Sequence, residues 1–265
     1  MQLSFFFPVQ QRSLIWQFAR RDVLARYRGS LLGLGWSLLN PLLMLAVYTF
    51  VFREVFKARW GSGDGGGIEF ALQVYAGLIV FNFFSECLSR APRLVLDQPQ
   101  LVKKVVFPLE ILPWTALLSS LFHTAVNLAV LLAAAAALHG QLSWSVLSLP
   151  LVFLPLLPLL IGLSWFLAAL GVFVRDVGQV IGMVLNLLMF LSPVFYPMSS
   201  LPESWQPWLA LNPLTPVIEQ TRRVVMEGQW PDLSLLAIFA AFSLLVAWLG
   251  GLWFAATRKG FADVL

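Results

Sequence analysis

Residues 20–52 read RRDVLARYRGSLLGLGWSLLNPLLMLAVYTFVF. A basic stretch carrying Arg20, Arg21, Arg26 and Arg28 runs directly into 24 residues, 29–52, that contain no Asp, Glu, Lys or Arg. About 20 apolar residues in helical form cross the hydrocarbon core of a bilayer. Lys and Arg flanking such a segment stay on the cytoplasmic side. The pattern therefore predicts a chain that begins inside, lays arginines on the membrane surface, and then inserts.

The rest of the sequence agrees. Of its 265 residues, 59% are hydrophobic and 11% charged, with a mean hydropathy of +0.82. Soluble domains are about 25% charged, so this much apolar surface cannot be hidden in one globular core. The net charge of +4 is read as topogenic arginine rather than a nucleic-acid footprint. The single cysteine, Cys87, permits no internal disulfide and is read as a packing residue. The N-terminal MQLSFFFPVQQ has no basic n-region before its apolar run and no small-residue cleavage site after it, so it is expected to be retained. No G-x-x-x-x-G-K-[ST] phosphate loop occurs, and His123 and His139 lie in no Cys/His/carboxylate cluster. The sequence thus predicts no catalytic residue, no metal site and no cofactor in this chain.

Charged residues divide the chain into uncharged runs at 29–52, 70–85, 111–174, 177–202 and 233–257. The third run, 64 residues long, suits two spans, with a break at the polar, turn-forming segment 139–143 (HGQLS). The predicted fold is an all-α polytopic membrane protein with six transmembrane helices at about 30–52, 70–89, 111–137, 146–173, 178–197 and 233–256, within a membrane domain of 30–257. An even number places both termini on one side. With both inside, 12 of the 17 basic residues are cytoplasmic, while Arg53, Lys57, Arg59, Arg222 and Arg223 are outside. That bias supports cytoplasmic termini.

Three regions differ from ordinary spans or loops. Residues 1–29 form a cytoplasmic N-terminal segment. Within it, 10–28 separates poorly as a helical wheel, since Asp22 and Arg26 fall near Ile15, yet its arginines, Trp16 and Tyr27 suit the headgroup zone. A plain cytoplasmic tail is the bland reading. Residues 90–110 are punctuated by Pro92, Pro99 and Pro108, each turning its predecessor away from helix. Apolar residues beside Lys103 and Lys104 in so long a connector imply a protein partner, or else Leu101 and Val102 dip into the membrane interface. Residues 198–232 hold Trp205, Trp208 and Trp230 and are broken at Asn212-Pro213 and Thr215-Pro216. They are predicted as short external or re-entrant helices before the last span, with Glu219, Arg222 and Arg223 spaced for an ion pair on one helix face. Residues 258–265 form a cytoplasmic tail.

These residues carry a resemblance. Arg26-Tyr27-Arg28-Gly29-Ser30 with Leu34-Gly35-Trp36-Ser37 and Asn40-Pro41 is one anchor. Leu101-Val102-Lys103-Lys104 followed by Phe107-Pro108-Leu109-Glu110 is the second. Asn212-Pro213-Leu214-Thr215-Pro216 with Glu219 and Arg222 is the third. In this order, and with the predicted topology, the chain resembles the membrane subunits of ABC-type exporters for bacterial surface polysaccharides, the O-antigen and capsule permeases. Drug and teichoic-acid exporters of the wider superfamily share some of these features.

The resemblance implies a homodimer in the bacterial inner membrane that moves an undecaprenyl-linked glycan through a central channel. It implies a separate cytoplasmic ATPase dimer, which would hold the ATP and Mg. It assigns Leu101, Val102, Lys103 and Lys104, with Arg20 and Arg21 of the interface helix, to ATPase coupling. It assigns Asn212, Pro213, Glu219 and Arg222 to an outer gate.

Sugar chains stack on aromatic rings, which nominates Trp36, Tyr48, Phe81, Phe84, Phe190, Phe195 and Tyr196 as channel lining. Membrane-helix Phe otherwise packs or meets lipid, and Trp or Tyr near span ends otherwise form the interfacial belt. Glu86 is read either as a functional intramembrane acid or as an i,i+4 partner of Arg90. His123 and Asn127 are placed to hydrogen-bond across helices. An ion-coupled carrier would need midplane ionisable groups or internal repeats. A lipid-linked glycosyltransferase would need paired carboxylates. Neither pattern is evident.

Overall fold

The computed structural model describes residue 6 and residues 8–55, 66–103 and 107–265. Lys57, Arg59 and Lys104 therefore lie outside the described residues. Those described are helical, with no strand among them. Five helical segments are long and apolar enough to cross a membrane: Gly33–Val55, Gly67–Arg93, Leu109–His139, Trp144–Phe173 and Leu233–Val264.

Helix α1 (Arg12–Arg26) lies outside these segments and is fixed by a few residues. Ile15 and Ala19 are buried, whereas Trp16, Arg20 and Arg21 are exposed. The helix ends at Tyr27, and Gly29, at φ +82°, turns the chain. Only glycine adopts that conformation without strain. After a short 3-10 turn, α2 (Trp36–Phe50) begins. It exposes Leu38, Leu42, Leu43, Met44, Val47 and Phe50, making this span the least covered by the rest of the chain.

Helix α3 (Gly67–Arg90) is the core element. Every residue from 71 to 84 is buried except Asn82. It is surrounded by α2, by α5 (Leu112–His139) and by later helices. The segment between α3 and α5 is a run of tight turns around the short α4 (Pro99–Lys103). Gly140, at φ +74°, ends α5 by donating its N–H to Ala136 O, within the segment where the break was expected.

The fourth membrane segment is broken into a 3-10 turn, α6 (Leu149–Phe153) and α7 (Leu156–Phe173), with Pro155 at the joint. Lipid offers no hydrophobic drive for helices to associate, so close packing does that work. The closest approach joins α7 to the last long helix. A Cβ on Gly162 would lie 2.6 Å from Ala247 Cα, and one on Gly250 would overlap Gly162 O. At its other end, Gly171 seats the Pro92 carbonyl, locking the segment after α3 onto α7.

The expected fifth span, 178–197, is shorter as a helix. Helix α8 is Val177–Leu191, 15 residues, or about 22 Å against a core of about 30 Å. Proline at 193 forces Ser192 into extended backbone (φ −100°, ψ 149°) and stops it. Two short helices follow, α9 (Gln206–Ala210) and α10 (Leu214–Val225), before α11 (Leu233–Thr257) and a final turn, α12 (Phe261–Val264). Helix α10 is largely buried and packs against α3.

Candidate functional site

Two polar constructions stand at opposite ends of α3. At the Arg90 end, four charges form a crossed square. Asp22 and Arg26 lie one turn apart on α1, and Glu86 and Arg90 lie one turn apart on α3. Arg90 Nη2 donates to both carboxylate oxygens of Asp22 at 2.7 Å, and Arg26 pairs with Glu86. The anticipated Glu86–Arg90 pair exists, but at 3.9 Å it is the loosest of the three ion pairs. Burial pulls the Asp22 carboxyl upward, yet the neighbouring Ser119 hydroxyl and the Arg90 guanidinium outweigh it and hold it below the usual carboxylate range.

Beside the square, the Tyr27 hydroxyl meets His123 Nε2 at 3.2 Å, with the rings stacked 14° from parallel. Asn127 accepts from Tyr75 OH at 2.9 Å. His123 and Asn127 thus each bond across to another element.

Next to the square opens a cleft of about 670 Å³, lined by Arg21, Asp22, Arg90, Arg93 and Gln179 among others. Arg21 lies over the Phe18 ring at 4.6 Å. Arg20 lines a shallower neighbouring groove. Of the residues nominated for coupling, Lys103 is exposed, while Leu101 and Val102 are half-buried and packed on the chain's own core. Helix α4 touches α12, so their apolar surface is already partly covered. Glu110 of the second anchor binds Arg258 at 2.9 Å, and its carbonyl accepts from Trp165 Nε1 at 3.0 Å.

At the opposite end, Arg222 is 3% exposed. Its guanidinium donates to Gln73 O (3.0 Å), Pro193 O (2.7 Å) and Val194 O (2.7 Å), and to Glu219 Oε1 (3.0 Å). The i,i+3 ion pair expected on one helix face is present, but the arginine is an internal clamp rather than a surface charge. Gly77 makes room for it, since a Cβ there would lie 3.0 Å from Nη2 and 3.2 Å from Val194 Cα.

Asn212 extends the clamp. Its Nδ2 donates to Leu191 O (3.1 Å) and Ser192 Oγ (2.9 Å), and its Oδ1 accepts from Leu214 N, capping α10 across Pro213. Ser192 Oγ bonds Leu188 O and Tyr196 OH bonds Phe190 O. The open end of α8 is therefore closed by side chains. Irregular backbone at membrane depth is tolerated where protein covers it in this way.

The nominated rings separate into two sets. Phe81 and Phe84 are 6% and 3% exposed and belong to the core, which removes them from the channel set: neighbouring helices cover their faces. Phe190 is exposed, and Trp36, Tyr48, Phe195 and Tyr196 are half-buried. Sequence reasoning missed the internal role of Arg222 and the Arg26 partner of Glu86. The available signal for the latter was the poor wheel of α1, whose charges share a side with Ile15.

Comparison with known proteins follows the same outline. The profile of the ABC-2 type transporter family matches residues 13–226. The O-antigen export system permease protein RfbA of Myxococcus xanthus is 30% identical over 256 residues, covering 96% of each chain. A protein of the same name from Klebsiella pneumoniae is 24% identical over 247 residues, covering 92% of each. The polysialic acid transport protein KpsM of Escherichia coli is 25% identical over 235 residues, covering 87% of this chain and 88% of its own.

Proposed function

The chain belongs to the ABC-2 type transporter family, and from that premise we propose that it is the transmembrane subunit of an ATP-driven exporter of a lipid-linked surface polysaccharide, O-antigen or capsule. It works as a homodimer in the bacterial inner membrane, with a separate dimeric ATPase on the cytoplasmic side and both termini on that side. The observation that carries this reading is similarity to polysaccharide export permeases over nearly the whole chain, with 96% covered at 30% identity. The chain has no phosphate loop of its own, so ATP and Mg belong to the partner.

Other features support the reading. The Arg90 end carries a cleft lined by Arg21 and a neighbouring groove lined by Arg20, both open to a partner, and Lys103 is exposed. Gly171 against Pro92 gives a stiff route from that end into α7. The uncovered faces of α2 and α8, with the exposed Phe190 and the half-buried Tyr48, suit a second copy and a central path between the two. The Arg222 clamp suits an outer gate whose short helices move as one body. The test is deletion of the gene in its own host, with surface polysaccharide and undecaprenyl-linked glycan both quantified. Loss at the surface with accumulation of the lipid-linked form is expected, and both return on complementation. Unchanged surface glycan in the deletion strain overturns the reading.

A further inference from the structure

Helix α3 presents one exposed residue between positions 71 and 84, and it is Asn82. Its amide makes no hydrogen bond within the described chain. Two more asparagines in apolar helices share this condition, Asn40 on α2 and Asn186 on α8, and both of these helices pack against α3.

Counted along their helices, the three fall within roughly 6 Å of a common depth. The cleft lined by Asp22, Arg90, Gly178 and Gln179 places the end of α3 and the start of α8 at the same end of the bundle, and the first span begins just after α1. At about 1.5 Å per residue, Asn40 sits roughly 10 Å along from Gly33, Asn82 roughly 16 Å from Arg93, and Asn186 roughly 13 Å from Val177.

An amide left unpaired in hydrocarbon costs several kcal/mol, so three near a common depth need water or a polar ligand. A packed helix does not fit at Asn82. Ridge-into-groove packing engages the neighbours at i±3 and i±4 as well, but Leu78 and Ile79 are buried and Ser85 and Glu86 half-buried. The exposed strip at Asn82 is therefore narrow, too narrow to seat a helix ridge.

We propose that Asn82, with Asn40 and Asn186, forms a hydrogen-bonding belt on a water-filled path, and that its ligand is a chain of sugar hydroxyls. This rests on the export reading above. A neutral amide suits that ligand. It offers two donors and an acceptor and carries no charge to hold a sliding polymer.

The experiment uses the full exporter in membranes, in a Cys87→Ser background. Asn82→Cys should react with a charged methanethiosulfonate roughly ten-fold or more faster than Ile238→Cys, an exposed position on α11, because thiolate forms only where water reaches. Asn82→Leu, at matched protein level and unchanged melting temperature, should lower surface glycan several-fold, and Asn82→Gln should restore it. Asn82→Cys reacting no faster than Ile238→Cys would show a lipid-facing residue and overturn the belt. An Asn82→Cys disulfide between two copies, with no reagent access, would make the site a subunit contact and overturn it equally. Wild-type export by Asn82→Leu, in a host whose deletion strain loses its surface glycan, would remove the ligand role while leaving the export function standing. Undiminished glycan in the deletion strain would defeat the export function itself.

Discussion

Asp22 and Arg90, 68 positions apart, are joined by two 2.7 Å hydrogen bonds from one guanidinium nitrogen to both carboxylate oxygens. With Arg26 and Glu86 they clasp the N-terminal helix to the end of the core helix. Both partners are about one-third exposed, so the pair is worth on the order of 1 kcal/mol or less, and position rather than stability is what it supplies.

Reversal at one partner should release α1. Asp22→Arg faces Arg26 and Arg90 with a like charge, and protease cleavage within residues 12–28 should rise several-fold. The exchange Asp22→Arg with Arg90→Asp should recover most of the protection. Equal cleavage in all three proteins would show that Ile15 and Ala19 alone hold the helix.

The same carboxyl sets a pH dependence. A depressed folded-state value contributes stability above the unfolded value and loses it as pH falls through the folded one. Docking of α1 should therefore be flat through neutral and mildly acid pH and loosen only below about 4, the ordinary carboxylate range. A crosslink between one cysteine introduced on α1 and one on α5, which pack together, followed against pH, reads this out. A midpoint near 6 would implicate another group.

Arg222 should be the least replaceable charge in the chain. Removing a buried partner of this kind costs about 3–5 kcal/mol. Arg222→Met should lower the melting temperature by several degrees and expose residues 192–213 to protease. Arg222→Lys should recover little, since an ammonium cannot span the carbonyls of Gln73, Pro193 and Val194 together. Gly77→Ala should weaken the same clamp by crowding Nη2. Wild-type melting of Arg222→Met in detergent would contradict the arrangement.

Gly162→Ala and Gly250→Ala should each destabilise by roughly 1–3 kcal/mol, because the added methyl meets backbone that has nowhere to retreat. Gly178→Ala meets nothing within 4 Å and should be neutral or slightly stabilising, as alanine is the better helix former. Thermal unfolding of the three variants in one detergent separates them. Equal melting would mean that α7 and α11 cross more loosely.

In the segment proposed for ATPase coupling, Lys103→Glu is the clean probe. Lys103 is exposed, whereas Leu101→Asp would also disturb packing on the chain's own core. Lys103→Glu should reduce glycan-dependent ATP hydrolysis by the assembled exporter several-fold with membrane insertion intact. Full activity would move the contact elsewhere, to Arg20 or Arg21.

The uncharged runs gave good positions for the long helices because charge is excluded from the hydrocarbon core whatever the neighbours do. The 139–143 break was legible because Gly140 punctuates locally. The length of the fifth helix was not, since a charge count passes over the Ser192-Pro193 step that ends it. Which rings face inward was also hidden: in helices apolar on all sides, periodicity cannot separate Phe84 in the core from Phe190 outside. Arg222 read as half of a surface ion pair because Glu219 is one turn away, while its three carbonyl partners lie 28 to 149 positions distant.

That distance has a consequence for biosynthesis. The carbonyls at the end of α8 emerge from the ribosome before Asn212 and Arg222 exist to receive them. Until then the Leu191, Pro193 and Val194 carbonyls have only water as a partner, so this segment cannot settle at depth without a large penalty. Helix α8 must wait at the surface, or in a wet chaperone groove, until α10 is made. Membrane insertion of the two is therefore expected to be one cooperative event, and a nascent chain that stops short of residue 222 should leave α8 outside the bilayer.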